Sequence, residues 1–191
     1  ETVYYEVVGF TDDGTPIMNP GNNSKLNDKE FTKQYGKTTT FSYGRAPDGK
    51  EHPKSDLFVY RMTMTNEDGD VVEYPPDFMR YRCEQMGVKC VQVFCRTIIP
   101  DFYQLPDDVG SPQAVNAGEY VKKLAEDFYD GPDPVDHTHV REGVVCRIVN
   151  RPKFAAYKHK NFAFKALEGL IKDTAAAPDM EEQEAIKESV Q

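Results

Sequence analysis

The sequence predicts an α+β fold in which antiparallel sheets carry a few flanking helices. Runs of alternating apolar and polar residues, rich in β-branched and aromatic types, recur at 3–10 and 57–65. The turn signal Asn66-Glu67-Asp68-Gly69-Asp70 joins the second run to another at 71–74, and so short a connection makes the two antiparallel neighbours. Helical spacing appears in a few segments that do not alternate strand by strand with the β runs, which argues against a doubly wound parallel sheet.

Taken in order, the run 3–10 places Tyr4, Glu6 and Val8 on one face and Tyr5 and Val7 on the other. Residues 11–39 are polar and glycine-rich, with turn signals at Asp12-Asp13-Gly14 and Pro20-Gly21-Asn22-Asn23, and read as a long loop with room for one short helix. The strand 57–65 places Phe58, Tyr60, Met62 and Met64 on one face. Pro75-Pro76-Asp77 opens a helix, Phe78, Tyr81 and Met86 follow at roughly helical spacing, and Gly87 stops it. A strand over 88–94 comes next. A second helix spans 117–129, where Val121, Leu124, Ala125 and Phe128 form an apolar stripe opposite Lys122, Lys123, Glu126 and Asp127. Strands at 140–149 and 154–160 and a third helix at 162–171 complete one domain over 1–172. Residues 173–191 are acidic and alanine-rich, a tail or a linker.

With 191 residues the chain fits one domain able to bury a core. Its 23 basic and 32 acidic side chains give a net charge of -9, so the overall field repels nucleic acid and any polynucleotide contact needs a local basic patch. An apolar content of 39% suits a folded domain. No run approaches the roughly 20 apolar residues that span a bilayer, and the first residues lack a signal-peptide pattern. A cytoplasmic monomer without membrane contact is therefore expected. Cys83, Cys90, Cys95 and Cys146 contain no C-x-x-C pair and sit mostly in strand-like runs, as buried thiols in a reducing compartment do. The chain starts at Glu1 within a strand-like run, so an upstream segment is expected.

The residues that bear chemistry cluster late in the chain. In Tyr157-Lys158-His159-Lys160, residues two apart share a strand face, so Lys158 and Lys160 project together while His159 points away. Two ammonium groups side by side suit a phosphate between them. The alternative is an edge strand guarded by lysines against aggregation. Glu142, next to Gly143 at the head of a strand anchored by Val144-Val145, offers a hard oxygen ligand of the kind Mg²⁺ takes beside a triphosphate, or simply an acid reaching solvent. Glu6, Tyr60 and Phe58 supply an acid for ribose hydroxyls and aromatic faces for a base, although each type is commonly structural. His137 and His139 lie in a Pro- and Asp-rich loop context that argues against metal ligation. No Ser-His-Asp or Cys-His pattern and no glycine-rich phosphate loop is present.

Four short motifs in order then bring a family into view. Tyr5-Glu6-Val7-Val8-Gly9-Phe10, Phe58-Val59-Tyr60-Arg61-Met62, Arg141-Glu142-Gly143-Val144-Val145 and Tyr157-Lys158-His159-Lys160 resemble motifs III, IIIa, IV and V of the nucleotidyltransferase domain of ATP-dependent RNA ligases. DNA ligases and mRNA capping enzymes belong to the same superfamily. The resemblance covers about residues 1–170 and implies a ligase-type, ATP-grasp-like core with antiparallel sheets around a nucleotide groove. It implies ATP and Mg²⁺ as cofactors and RNA ends, a 5′-phosphate and a 3′-hydroxyl, as partners, joined through lysyl-AMP and RNA-adenylate intermediates. By resemblance Lys158 and Lys160 contact the α-phosphate, Glu142 holds Mg²⁺ or its waters, Glu6 takes the ribose, and Tyr60, with Phe58 second to it, stacks on adenine. One departure is large. The family's nucleophile lies in Lys-x-Asp-Gly, and no such pattern occurs in these residues. Since the covalent step needs an activated amine at the α-phosphate, this chain is not expected to adenylate itself. The rival readings are a noncatalytic nucleotide- or RNA-binding domain, and a DNA ligase or capping guanylyltransferase.

Overall fold

The computed structural model describes residues 1–17, 29–35, 43, 55–100, 102–103, 113–137, 139–149 and 154–167. Its elements in order are β1 (Thr2–Val8), α1 (Lys29–Tyr35), β2 (Asp56–Thr65), β3 (Val71–Glu73), α2 (Pro76–Met86), β4 (Lys89–Cys90), β5 (Phe102–Tyr103), β6 (Gln113–Ala114), α3 (Ala117–Glu126), β7 (Gly143–Ile148), β8 (Ala155–Lys160) and α4 (Phe162–Leu167). Strands β1, β2 and β3 pair antiparallel in that order, and β4 joins β2 in parallel. Strands β7 and β8 form a separate antiparallel hairpin, as do β5 and β6. The mixed architecture agrees with an α+β reading. The predicted tail, 173–191, lies outside the described residues.

Helix α2 starts and stops where its sequence signals stand. Pro76 occupies the first turn, where a missing N–H costs nothing, and Gly87 adopts the left-handed conformation at φ 67° while its N–H donates to the Glu84 carbonyl. At α3 the side chain of Asn116 accepts from the backbone N–H groups of Gly118 and Glu119. This helix ends at Glu126, three residues before the predicted stop. The Phe128 carbonyl instead accepts from the Arg141 guanidinium, which turns the chain out of the helix.

Two expectations need correction. The run 57–65 does not alternate throughout, because Tyr4 pairs with Arg61 and Tyr5 with Val59, which leaves Tyr60 as the extra residue of a β-bulge. The bulge reverses the phase of the strand. Val59 and Met62 consequently share the buried face, packed with Tyr74, Met79 and Cys83, whereas Met62 was expected beside Phe58 and Tyr60. The strand expected over 88–94 survives as Lys89–Cys90. After the Val91 N–H donates to the Val59 carbonyl the chain leaves the sheet, and Phe94 packs against Phe128 and the Arg141 guanidinium. Those contacts hold it away from β2.

Among the described residues the core has two centres. One lies under the β1–β2–β3 sheet, where α2 delivers Met79 and Cys83. The other centres on Val140 and Phe164, with Tyr35, Tyr43 and Ala163 packed against them. Each large side chain fully buried in this way contributes roughly 1.5–3 kcal/mol. The thiols do not follow the expectation uniformly: Cys83 is buried, but Cys95 is exposed.

Candidate functional site

The hairpin β7–β8 builds the cationic part of the site from register alone. Gly143 opposes Lys160 and Val145 opposes Lys158, so both lysines lie on one face, the face that also carries Arg147. Glu142 immediately precedes this ladder, and the Asn161 N–H donates to its carbonyl at 2.7 Å, extending the pairing by one step. The result brings three charged groups together. Lys158 Nζ lies 2.8 Å from Glu142 Oε1 and Lys160 Nζ lies 3.7 Å from the same oxygen. Lys160 is also 5.8 Å from the centre of the Phe164 ring, and its side chain is only 6% exposed against 41% for Lys158. A buried ammonium of this kind requires anionic company. Val145, expected in the core, is instead 59% exposed and forms an open wall beside Lys158.

Gly143 makes the close approach of the two strands possible. At φ 154° it occupies a region closed to ordinary side chains, and a Cβ there would lie 1.9 Å from the His159 carbonyl oxygen. No other residue fits this ladder position.

The remaining predicted residues come from the first sheet. Glu6 pairs directly with Phe58, so the two share a face, the one opposite the Val59–Met62 core face. The bulge residue Tyr60 turns its ring towards Tyr4, with centroids 6.4 Å apart. Lys89 lies over the Phe58 ring at 5.6 Å. Glu6 is close enough to the late cluster for its charge to act on the Tyr43 phenol, beside Glu142. Glu6 and Phe58 thus share one face of the first sheet, and Lys158 and Lys160 share one face of the hairpin.

A network that sequence reasoning missed ties the first sheet to the hairpin at the far end of β7. Arg61 lies over the rings of Tyr4 at 4.6 Å and Phe154 at 4.2 Å, and its Nε donates to Glu73 at 3.0 Å. Arg147 reaches the same carboxylate at 3.2 Å and donates to the Tyr74 carbonyl at 2.8 Å. Burial pulls the Arg147 guanidinium below its ordinary value, and Glu73 opposes that pull. Each of these residues looks like an ordinary surface charge in sequence. Their link is long-range.

Two further residues brace Glu142. The Tyr43 hydroxyl donates to its Oε2 at 3.3 Å, and the Tyr43 ring stands edge-on to His139 at 4.7 Å. Burial, with the charge of Glu142 second, pushes the Tyr43 phenol far above its ordinary range, so it stays a donor. Asn161 donates through Nδ2 to Asp130 at 2.8 Å and accepts from the Ala163 N–H at 2.7 Å. Position 43 falls between the predicted elements and carried no signal. His139 is fully buried and its Nδ1 bonds the Val140 carbonyl at 2.9 Å, which makes it a core histidine. Nearby Asp133 accepts from the N–H groups of Val135 and Asp136, while burial raises its carboxyl above the usual range.

Among the described residues no three His, Cys, Asp or Glu side chains converge on a metal position. Glu142 contributes a single carboxylate beside two ammonium groups. That donor set fits Mg²⁺ that arrives with phosphate oxygens and keeps its waters, rather than a cation held by protein alone. Among the described residues no helix is long and apolar enough to cross a membrane. No family model, curated protein or solved structure matches this chain.

Proposed function

We propose that the chain is the motif III to motif V portion of an ATP-dependent RNA ligase, a domain that binds ATP with Mg²⁺ and serves the joining or repair of RNA ends. The observation that carries this reading is the meeting of Glu142 with both Lys158 and Lys160 at one oxygen. Two ammonium groups neutralise the α-phosphate and stabilise the charge that develops on it during transfer. Mg²⁺, when bound with the nucleotide, neutralises further phosphate charge. Glu6 accepts from the ribose hydroxyls, and Tyr60 or Phe58 covers one face of the base. Since Lys-x-Asp-Gly does not occur here, the chain by itself binds nucleotide without forming lysyl-AMP.

Calorimetric titration with ATP and with GTP, each with Mg²⁺, tests this directly. Binding of ATP in preference to GTP, lost in Lys158→Ala and in Lys160→Ala, is the expected result. No binding of either nucleotide would sink the reading, and preference for GTP would move it to a capping enzyme. In a longer chain containing Lys-x-Asp-Gly, incubation with ATP and Mg²⁺ should add the mass of one AMP.

A further inference from the structure

We infer that Tyr43 is a positioning residue for Glu142, fixing the carboxylate so that one oxygen is presented to the lysine pair and its bound ligand. The inference rests on the nucleotide-binding reading above and adds a residue that none of the four motifs contains.

The geometry divides the two carboxylate oxygens of Glu142 between different partners. Oε1 takes both ammonium groups, Lys158 at 2.8 Å and Lys160 at 3.7 Å, and Oε2 accepts from the Tyr43 hydroxyl. A carboxylate with one anchored oxygen loses the rotation about its terminal bond that would otherwise let either oxygen face the lysine pair. Tyr43 can act as an anchor because its own position is fixed. Its ring packs against the cluster of Val140 and Phe164 and stands edge-on, at 88°, to the fully buried His139. Val140 and His139 immediately precede Arg141 and Glu142, so the anchor and the anchored residue share one rigid support.

Its backbone supplies a second indication. Tyr43 has φ 47°, the single positive value among the described non-glycine residues. For a bulky residue this conformation is strained and persists where surrounding contacts require it. The contacts that require it here are the ring packing and the hydroxyl on Glu142. Phenylalanine would satisfy the first and not the second.

The experiment is a double-mutant cycle on nucleotide affinity, using wild type, Tyr43→Phe, Glu142→Gln and the double variant, titrated with ATP in Mg²⁺ and again in EDTA. Loss of a hydrogen bond to a charged group should weaken ATP binding in Mg²⁺ by about three- to tenfold in Tyr43→Phe. The same variant should match wild type in EDTA, where Glu142 has no metal to meet, and should add nothing further in the Glu142→Gln background. Equal weakening in both backgrounds, or in EDTA, would mean that the hydroxyl does not act through Glu142 and would overturn the inference. Wild-type affinity in Tyr43→Phe would overturn it as well. A Tyr43→Phe chain that no longer unfolds cooperatively would assign the hydroxyl to the fold instead. Absence of ATP binding by wild type would overturn the nucleotide reading and this inference together, which separates the two kinds of failure.

Discussion

Replacing Gly143 by alanine should damage stability and site together, because the new methyl group meets backbone that cannot rotate away. Its Cβ would lie 1.9 Å from the His159 oxygen, 2.8 Å from the Lys160 Cα and 2.9 Å from the His159 carbonyl carbon. Restoring even a tight 3.0 Å contact with the oxygen requires the strands to part by about 1 Å, enough to break the ladder hydrogen bonds at that end. Overpacking of this kind costs about 1–3 kcal/mol and the positive φ a further ~1–3 kcal/mol, so the total is about 2–6 kcal/mol. For a chain of this size, at roughly 2–4 °C per kcal/mol, a central value of ~4 kcal/mol lowers Tm by about 8–16 °C. The disturbed end is the one where Gly143 opposes Lys160, so the ATP affinity proposed for this site should fall as well. Thermal unfolding followed by circular dichroism, paired with calorimetric titration, measures both. Gly118→Ala is the control, since its Cβ meets nothing closer than Asn116 Oδ1 at 3.4 Å and alanine suits a helix, with a change within about 1 kcal/mol. A Gly143→Ala chain melting within two or so degrees of wild type would refute the reasoning about this ladder.

Two other outcomes follow from the packing. Glu73→Ala leaves Arg61 and Arg147, both mostly buried, without their shared carboxylate and should cost about 2–3 kcal/mol, read as a lower denaturation midpoint. An unchanged midpoint would remove this network from the account of how the first sheet and the hairpin are joined. Asp133→Asn keeps an oxygen for the Val135 and Asp136 N–H groups but removes a carboxyl whose folded pKa is raised by burial. A raised acid holds its proton longer in the folded chain, so wild-type stability falls as pH rises from the ordinary carboxylate value, about 3.9, up to the folded value. Chemical denaturation at pH 4 and at pH 7 should show the variant gaining on wild type at the higher pH, and the opposite trend would reject burial as the cause.

Local chemistry made much of this protein legible in its sequence. Pro76 and Gly87 delimit α2 because a missing N–H and a left-handed φ are properties of single residues. The spacing of Lys158 and Lys160 fixes that they share a face, since a strand repeats every two residues, and Glu142 heads the strand beside them as expected. Where the sequence misleads, the deciding contact lies far away along the chain. The Tyr60 bulge arises from the pairing with β1, nearly sixty residues earlier, and it alone sends Met62 into the core. The strand beyond Cys90 is lost to Phe128 and Arg141, which draw Phe94 aside. Tyr43 acquires meaning only where it meets Glu142, and the Arg61–Glu73–Arg147 network only where the hairpin meets the first sheet. The sequence by itself determined which residues carry charge and which turns are possible. The tertiary structure decided which of them meet, because desolvation and strand register are set by partners that no local pattern encodes.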